Sequence, residues 1–229
     1  SYIFPMMPDT KMKIGGVGCI LWLVSAILGL VAAGMMAAAM MGVGTTPSTL
    51  TDITRQMESM AAAMAAGWST TMVASAISIV GTALVALGCF GLRERFKTQL
   101  PMIAGIFAVI LVVLNAISLA ITASLGPLGV IGGALAASLG GSALPLLGVL
   151  LLVGVLGFVC TLVFLILLGV TFVTKRTEIG MGSLPMATGI LLILGWIPLV
   201  IIPALILLMI VFFRLAKETA APAAPAPTA

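Results

Sequence analysis

The chain has 229 residues, of which 62% are hydrophobic and only 7% charged. A soluble domain carries about a quarter charged residues, so this composition excludes one and points to an integral membrane protein. The net charge of +4 is spread over the ends of apolar runs, as a bilayer requires, and does not point to nucleic acid.

There is no histidine, which removes the commonest general base and metal ligand. Cys19, Cys89 and Cys160 all fall inside apolar runs and read as small buried hydrophobes. Cys19 and Cys89 are expected at similar depth. No cofactor or metal is expected.

Residues 1–13 read as a short cytoplasmic N-terminal segment, with Pro5 and Pro8 interrupting helix and Lys11 and Lys13 meeting headgroups. The apolar run that follows is too long for a signal-peptide core and is expected to be a true first span, about 14–42. Within it Ser25, Gly29, Ala33 and Ala37 recur every four residues, a small-residue stripe of the kind that lets helices pack closely in lipid.

Residues 43–68 are the first outer loop. Thr49 and Asp52 resemble a capping box. Ile53, Met57, Met60 and Met64 then share one helical face, which predicts a short interfacial helix with Trp68 at the headgroup level. With Met35, Met36, Met40 and Met41 the region is rich in thioether sulfur, which would suit Cu(I). No Cys or His accompanies these residues, and gap-filling is the competing reading.

The second span, about 69–92, carries Thr71, Ser75, Ser78 and Thr82 on one stripe. Such hydroxyls serve either a helix–helix seam or a water-lined path. The basic turn that follows, with Arg93, Arg95 and Lys97 against Glu94, sets the topology. The third span, about 100–124, places Asn115 near mid-membrane with Ser118 and Thr122 on the same face. An amide at that depth should face protein, holding a neighbouring helix in register or orienting a solute.

Residues 125–145 form the second outer loop. Its 126–144 stretch holds six glycines, Gly132 and Gly133 among them, bracketed by Pro127 and Pro145. Each interior Gly costs about 1 kcal/mol relative to Ala, so the stretch is expected to be poor helix. A pore, if present, is expected to be lined here. The fourth span, about 146–173, ends at Lys175 and Arg176. The fifth, about 184–213, is expected to kink at Pro198 and Pro203. Residues 214–229 are a Pro/Ala-rich tail, expected to be disordered.

With five spans and the N-terminus inside, seven of the ten basic residues are cytoplasmic and three are outside, Arg214 and Lys217 among the three. A hairpin turning back at Pro198–Pro203 would make the count nine against one. A recurrence favours five spans instead: Leu-Pro-Met at 100–102 followed by Gly105, then Leu-Pro-Met at 184–186 followed by Gly189. It suggests a repeated two-span unit.

The expectation is therefore an all-α polytopic helix bundle of about five spans in the cell membrane, with a cytoplasmic N-terminus. No span holds an ionisable Asp, Glu, Lys or Arg, which disfavours ion-coupled transport, and no nucleophile–base pair can be assembled. The chain reads as a non-catalytic structural or accessory subunit. Its partners are the lipid bilayer and other membrane subunits or copies of itself, met through small-residue helix faces. The alternative is a passive pore or carrier for a small neutral or hydrophobic solute, lined by the 126–144 stretch.

Overall fold

The computed structural model describes residues 7–41, 50–138, 144–195 and 197–220. They form α1 (Pro8–Met41), α2 (Leu50–Phe96), α3 (Leu100–Ser138), α4 (Leu144–Thr174), α5 (Arg176–Ile179), α6 (Leu184–Ile193) and α7 (Pro198–Ala220). Among the described residues, five stretches are long and apolar enough to cross a membrane: Pro8–Ala38, Glu58–Phe96, Leu100–Ser124, Gly148–Thr174 and Val200–Glu218. The chain is thus an all-α helix bundle, as its hydropathy requires.

The chain divides into two compact units. Unit 1 comprises Ser1–Leu23, Val80–Val112 and Phe158–Ala229; unit 2 comprises Val24–Ile79 and Val113–Gly157. Helices α1 to α4 contribute to both, whereas α5, α6 and α7 belong to unit 1 alone.

Unit 1 is held by backbone crossings that only glycine permits. A Cβ built on Gly15 would lie 2.7 Å from the Cα of Gly88, and the ring of Phe212 closes over both. Gly169 of α4 and Gly189 of α6 repeat the device, each added Cβ falling 2.6 Å from the other's carbonyl oxygen. Such approaches matter in lipid, where the attraction between helices is van der Waals packing more than water release. Phe164, Phe172 and Phe212 fill the space around these crossings and are fully buried. The indole of Trp22 donates to the hydroxyl of Thr82 and meets Phe164 edge-on.

The expected fifth span, 184–213, is two helices. α6 stops at Ile193 and α7 begins at Pro198. Arg176, just beyond α4, reaches Met186 near the start of α6. At the other end, Arg95 donates to the carbonyl of Leu215 at 2.8 Å and pairs with Glu218 at 3.0 Å. The segment therefore runs in beside α4 and returns to the turn between α2 and α3. Proline is the cause: Pro198 has no N–H to continue α6, and it biases its predecessor away from helix. The hairpin leaves nine of the ten basic residues in unit 1, with Arg55 alone in unit 2.

The outer loops are also corrected. No separate interfacial helix exists within 50–68, because α2 runs unbroken for 47 residues from Leu50. At 1.5 Å per residue it extends about 70 Å, well beyond one hydrocarbon thickness. Residues 43–49, including Thr49, lie outside the described residues. The glycine-rich stretch is helical as far as Ser138, a continuation of α3. An established helix gains a hydrogen bond for each residue added, which offsets the glycine cost. Residues 139–143 lie outside the described residues.

The Leu-Pro-Met recurrence has a structural counterpart. Both copies open a helix, α3 and α6, and both following glycines pack back on the preceding long helix. Gly105 meets Phe90 and Cys89, and Gly189 meets Gly169 and Val173. The likeness ends where α6 does, after ten residues.

Candidate functional site

Unit 2 holds a cavity of about 360 Å³ lined by three helices. From α2 come Thr71, Ser75 and Ser78, spaced so that one helical face presents them all. From α3 come Asn115, Ser118 and Thr122, again on one face. α1 adds Ser25 and Gly29. Glycine at 29 keeps the α1 wall open, since a Cβ there would meet nothing within 4 Å.

Three of these hydroxyl residues are spoken for. Ser25 donates to the carbonyl of Ala74 at 2.9 Å, tying α1 to α2, and Thr71 donates back to Gly67 at 2.8 Å within its own helix. Ser78 also has a partner. Among the described residues, the side chains of Ser75, Asn115, Ser118 and Thr122 make no hydrogen bond. Ser75 and Asn115 lie well inside candidate spans, and Ser118 and Thr122 lie toward the end of theirs; at such depth an unsatisfied polar group is costly.

The lining contains no ionisable side chain. Its chemistry is hydrogen bonding alone: hydroxyls that donate and accept, and one amide with two donors and an acceptor. Nothing in it can act as a general base or ligate a metal strongly. Among the described residues no three His, Cys, Asp or Glu side chains gather as a metal site.

The residues singled out from sequence divide clearly. Thr71, Ser75, Ser78 and Asn115 meet at the cavity, whereas Thr82 belongs to unit 1 as the buried acceptor of Trp22. Gly132 and Gly133 are helical in α3, and their surroundings lie outside the described residues. Arg95 bonds across to α7, while Arg93 and Lys97 stay exposed at the α2–α3 turn. Lys175 pairs with Glu178, and Arg176 contacts Met186. Sequence reasoning read Ser25 and Gly29 as a packing stripe and did not place them at a cavity. The signal was present in the shared depth of Ser25, Ser75 and Asn115, each near the middle of its span.

No known protein family, curated protein or solved structure matches this chain.

Proposed function

We propose that this chain is a non-catalytic integral membrane protein, an accessory or structural subunit that assembles with other membrane subunits or with itself through small-residue helix faces. The observation that carries this reading is a contrast between glycines. In unit 1, glycines such as Gly15, Gly88, Gly169 and Gly189 sit at helix crossings too close for a side chain. On α4, Gly148 and Gly154 have nothing within 4 Å of where a Cβ would be. Leu151, Leu152 and Val155 around them are exposed. Only 17% of the most apolar stretch of α4 is buried, against 39% for α2.

The same residue type that joins helices within the chain is thus displayed outward on a helix with few neighbours, the pattern expected of a face that receives another helix. The basic residues gathered in unit 1 favour a cytoplasmic N-terminus by the positive-inside rule. The absence of ionisable groups from the cavity fits a role without bond chemistry.

Native electrophoresis and mass photometry of the intact chain in mild detergent test the assembly. A discrete particle larger than one chain, lost in Gly154→Trp, is expected. A lone monomer in mild detergent and in nanodiscs would sink the reading.

A further inference from the structure

We propose that the unit 2 cavity is a binding site for a small, uncharged, hydrogen-bonding solute of the polyol or amide class, with Asn115 as its orienting residue. This goes beyond a packing role, which needs no vacant volume.

Three observations converge. The volume, about 360 Å³, falls within the ~300–1,000 Å³ usual for small-molecule sites. It also greatly exceeds the ~10–15 Å³ needed to admit one water. The walls supply hydrogen-bonding groups that find no partner among the described residues: Asn115, Ser118 and Thr122 on α3, and Ser75 facing them from α2. Lipid tails cannot satisfy those groups, so a hydrogen-bonding occupant is the lower-energy filling. Finally, the lining carries no charge. An ion would lose its hydration without gaining a counter-charge, a cost that favours a neutral molecule over it.

The chemistry of the walls narrows the class. Asn115 offers donors and an acceptor in one plane, and the hydroxyls rotate to either role. A solute presenting both donors and acceptors, such as a polyol or a primary amide, pairs with them; an ether leaves the Asn115 carbonyl unmet, and a hydrocarbon leaves its donors unmet as well. The apolar patches from Met72 and Leu119 accommodate a short carbon skeleton.

Cysteine modification in vesicles tests this, with Cys160→Ala as the background so that the remaining native thiols are the buried Cys19 and Cys89. The full chain carrying Ser118→Cys is reconstituted in phosphatidylcholine vesicles and treated with a cationic methanethiosulfonate, which needs a hydrated thiol. Modification is expected about tenfold faster than at Val113→Cys on the exposed apolar face of α3. Glycerol or urea should slow it about threefold, the protection given by a probe at twice its Kd. Sodium chloride at equal osmolality should not.

Adding Asn115→Leu should keep the modification and remove the protection. Modification no faster than at Val113→Cys would mean a dry site and overturn the proposal. Modification that neither neutral probe slows would mean a water pocket only, and would overturn it equally. Ready cross-linking of Ser118→Cys to a second chain would show a helix docked in the cavity and no solute site.

Discussion

The indole N–H of Trp22 donates to the hydroxyl of Thr82 across α1 and α2 at 2.7 Å, and the same ring meets Phe164 of α4 edge-on at 5.8 Å. One side chain thus ties three helices of unit 1. It also takes Thr82 away from the hydroxyl stripe that continues from Thr71 to Ser78. Replacing Thr82 by Val keeps the shape and removes the acceptor. The expected loss is about 0.6 kcal/mol and at most about 1.7, the average and the maximum for interhelical hydrogen bonds in membranes. Trp22→Phe should cost more, because packing is lost as well. Reversible unfolding in mixed micelles gives both values, and a double mutant that costs their full sum would mean that the bond does not couple the helices.

The glycine crossings make a second prediction. Gly88→Leu has no room, because even a Cβ would lie 2.7 Å from the Cα of Gly15. Overpacking of this kind costs about 1–3 kcal/mol or more, read as an earlier thermal transition in detergent. Gly154→Leu meets nothing within 4 Å and should leave that transition in place while weakening assembly. Equal destabilisation by both would remove the distinction between internal and outward glycines.

Much of this architecture could be read from the residues alone, for reasons that also mark where reading stopped. Apolar runs bounded by Lys and Arg locate helices because lipid tolerates little else, so α4 lies near its expected limits, α1 ends near its own and α3 begins near its own, although α1 starts six residues early at Pro8 and α3 runs on to Ser138. The α6–α7 break was harder. Residues 184–213 are apolar throughout, and hydropathy does not distinguish a long span from a hairpin. The charges favour the hairpin, since Arg214 and Lys217 are anomalous for a fifth crossing, but the Leu-Pro-Met recurrence outweighs them in the sequence and favours five spans; Arg95 bonding to Leu215 goes with the charges. At the cavity, spacing revealed the α2 stripe and the α3 stripe separately. That they face one another depends on how the helices are rotated, which period alone does not determine. Glycine content misled at 126–138, where continuation of α3 outweighs intrinsic propensity.

The three thiols should differ sharply. Cys19 and Cys89 are buried in the core of unit 1, while Cys160 on α4 is only partly buried. A lipid-soluble maleimide added to the folded chain in bilayers should therefore label Cys160 alone, with the other two reacting after denaturation in dodecyl sulfate. Peptide mapping by mass spectrometry reads the outcome. Labelling of Cys19 in the folded state would mean that α1 and α2 separate there, against the close approach of Gly18 to Gly81.

The hairpin makes the most decisive prediction, because a fifth crossing and a return place Lys217 on opposite surfaces. With α7 ending against Arg95, cysteines introduced by Lys97→Cys and Lys217→Cys should react with an impermeant maleimide from the same side of sealed vesicles. Labelling from opposite sides would restore the five-span arrangement. Glu218→Gln should not move Lys217: the Glu218 side chain is 46% exposed, and a bridge so open to solvent contributes about 0–1 kcal/mol. What holds α7 in place is burial. Phe212 lies over Gly15 and Gly88, with Leu208, Leu215 and Ala216 packed around it. Phe212→Ala should therefore cost about 3–5 kcal/mol and raise the protease sensitivity of the C-terminal helix, whereas the loss of Glu218 should do neither.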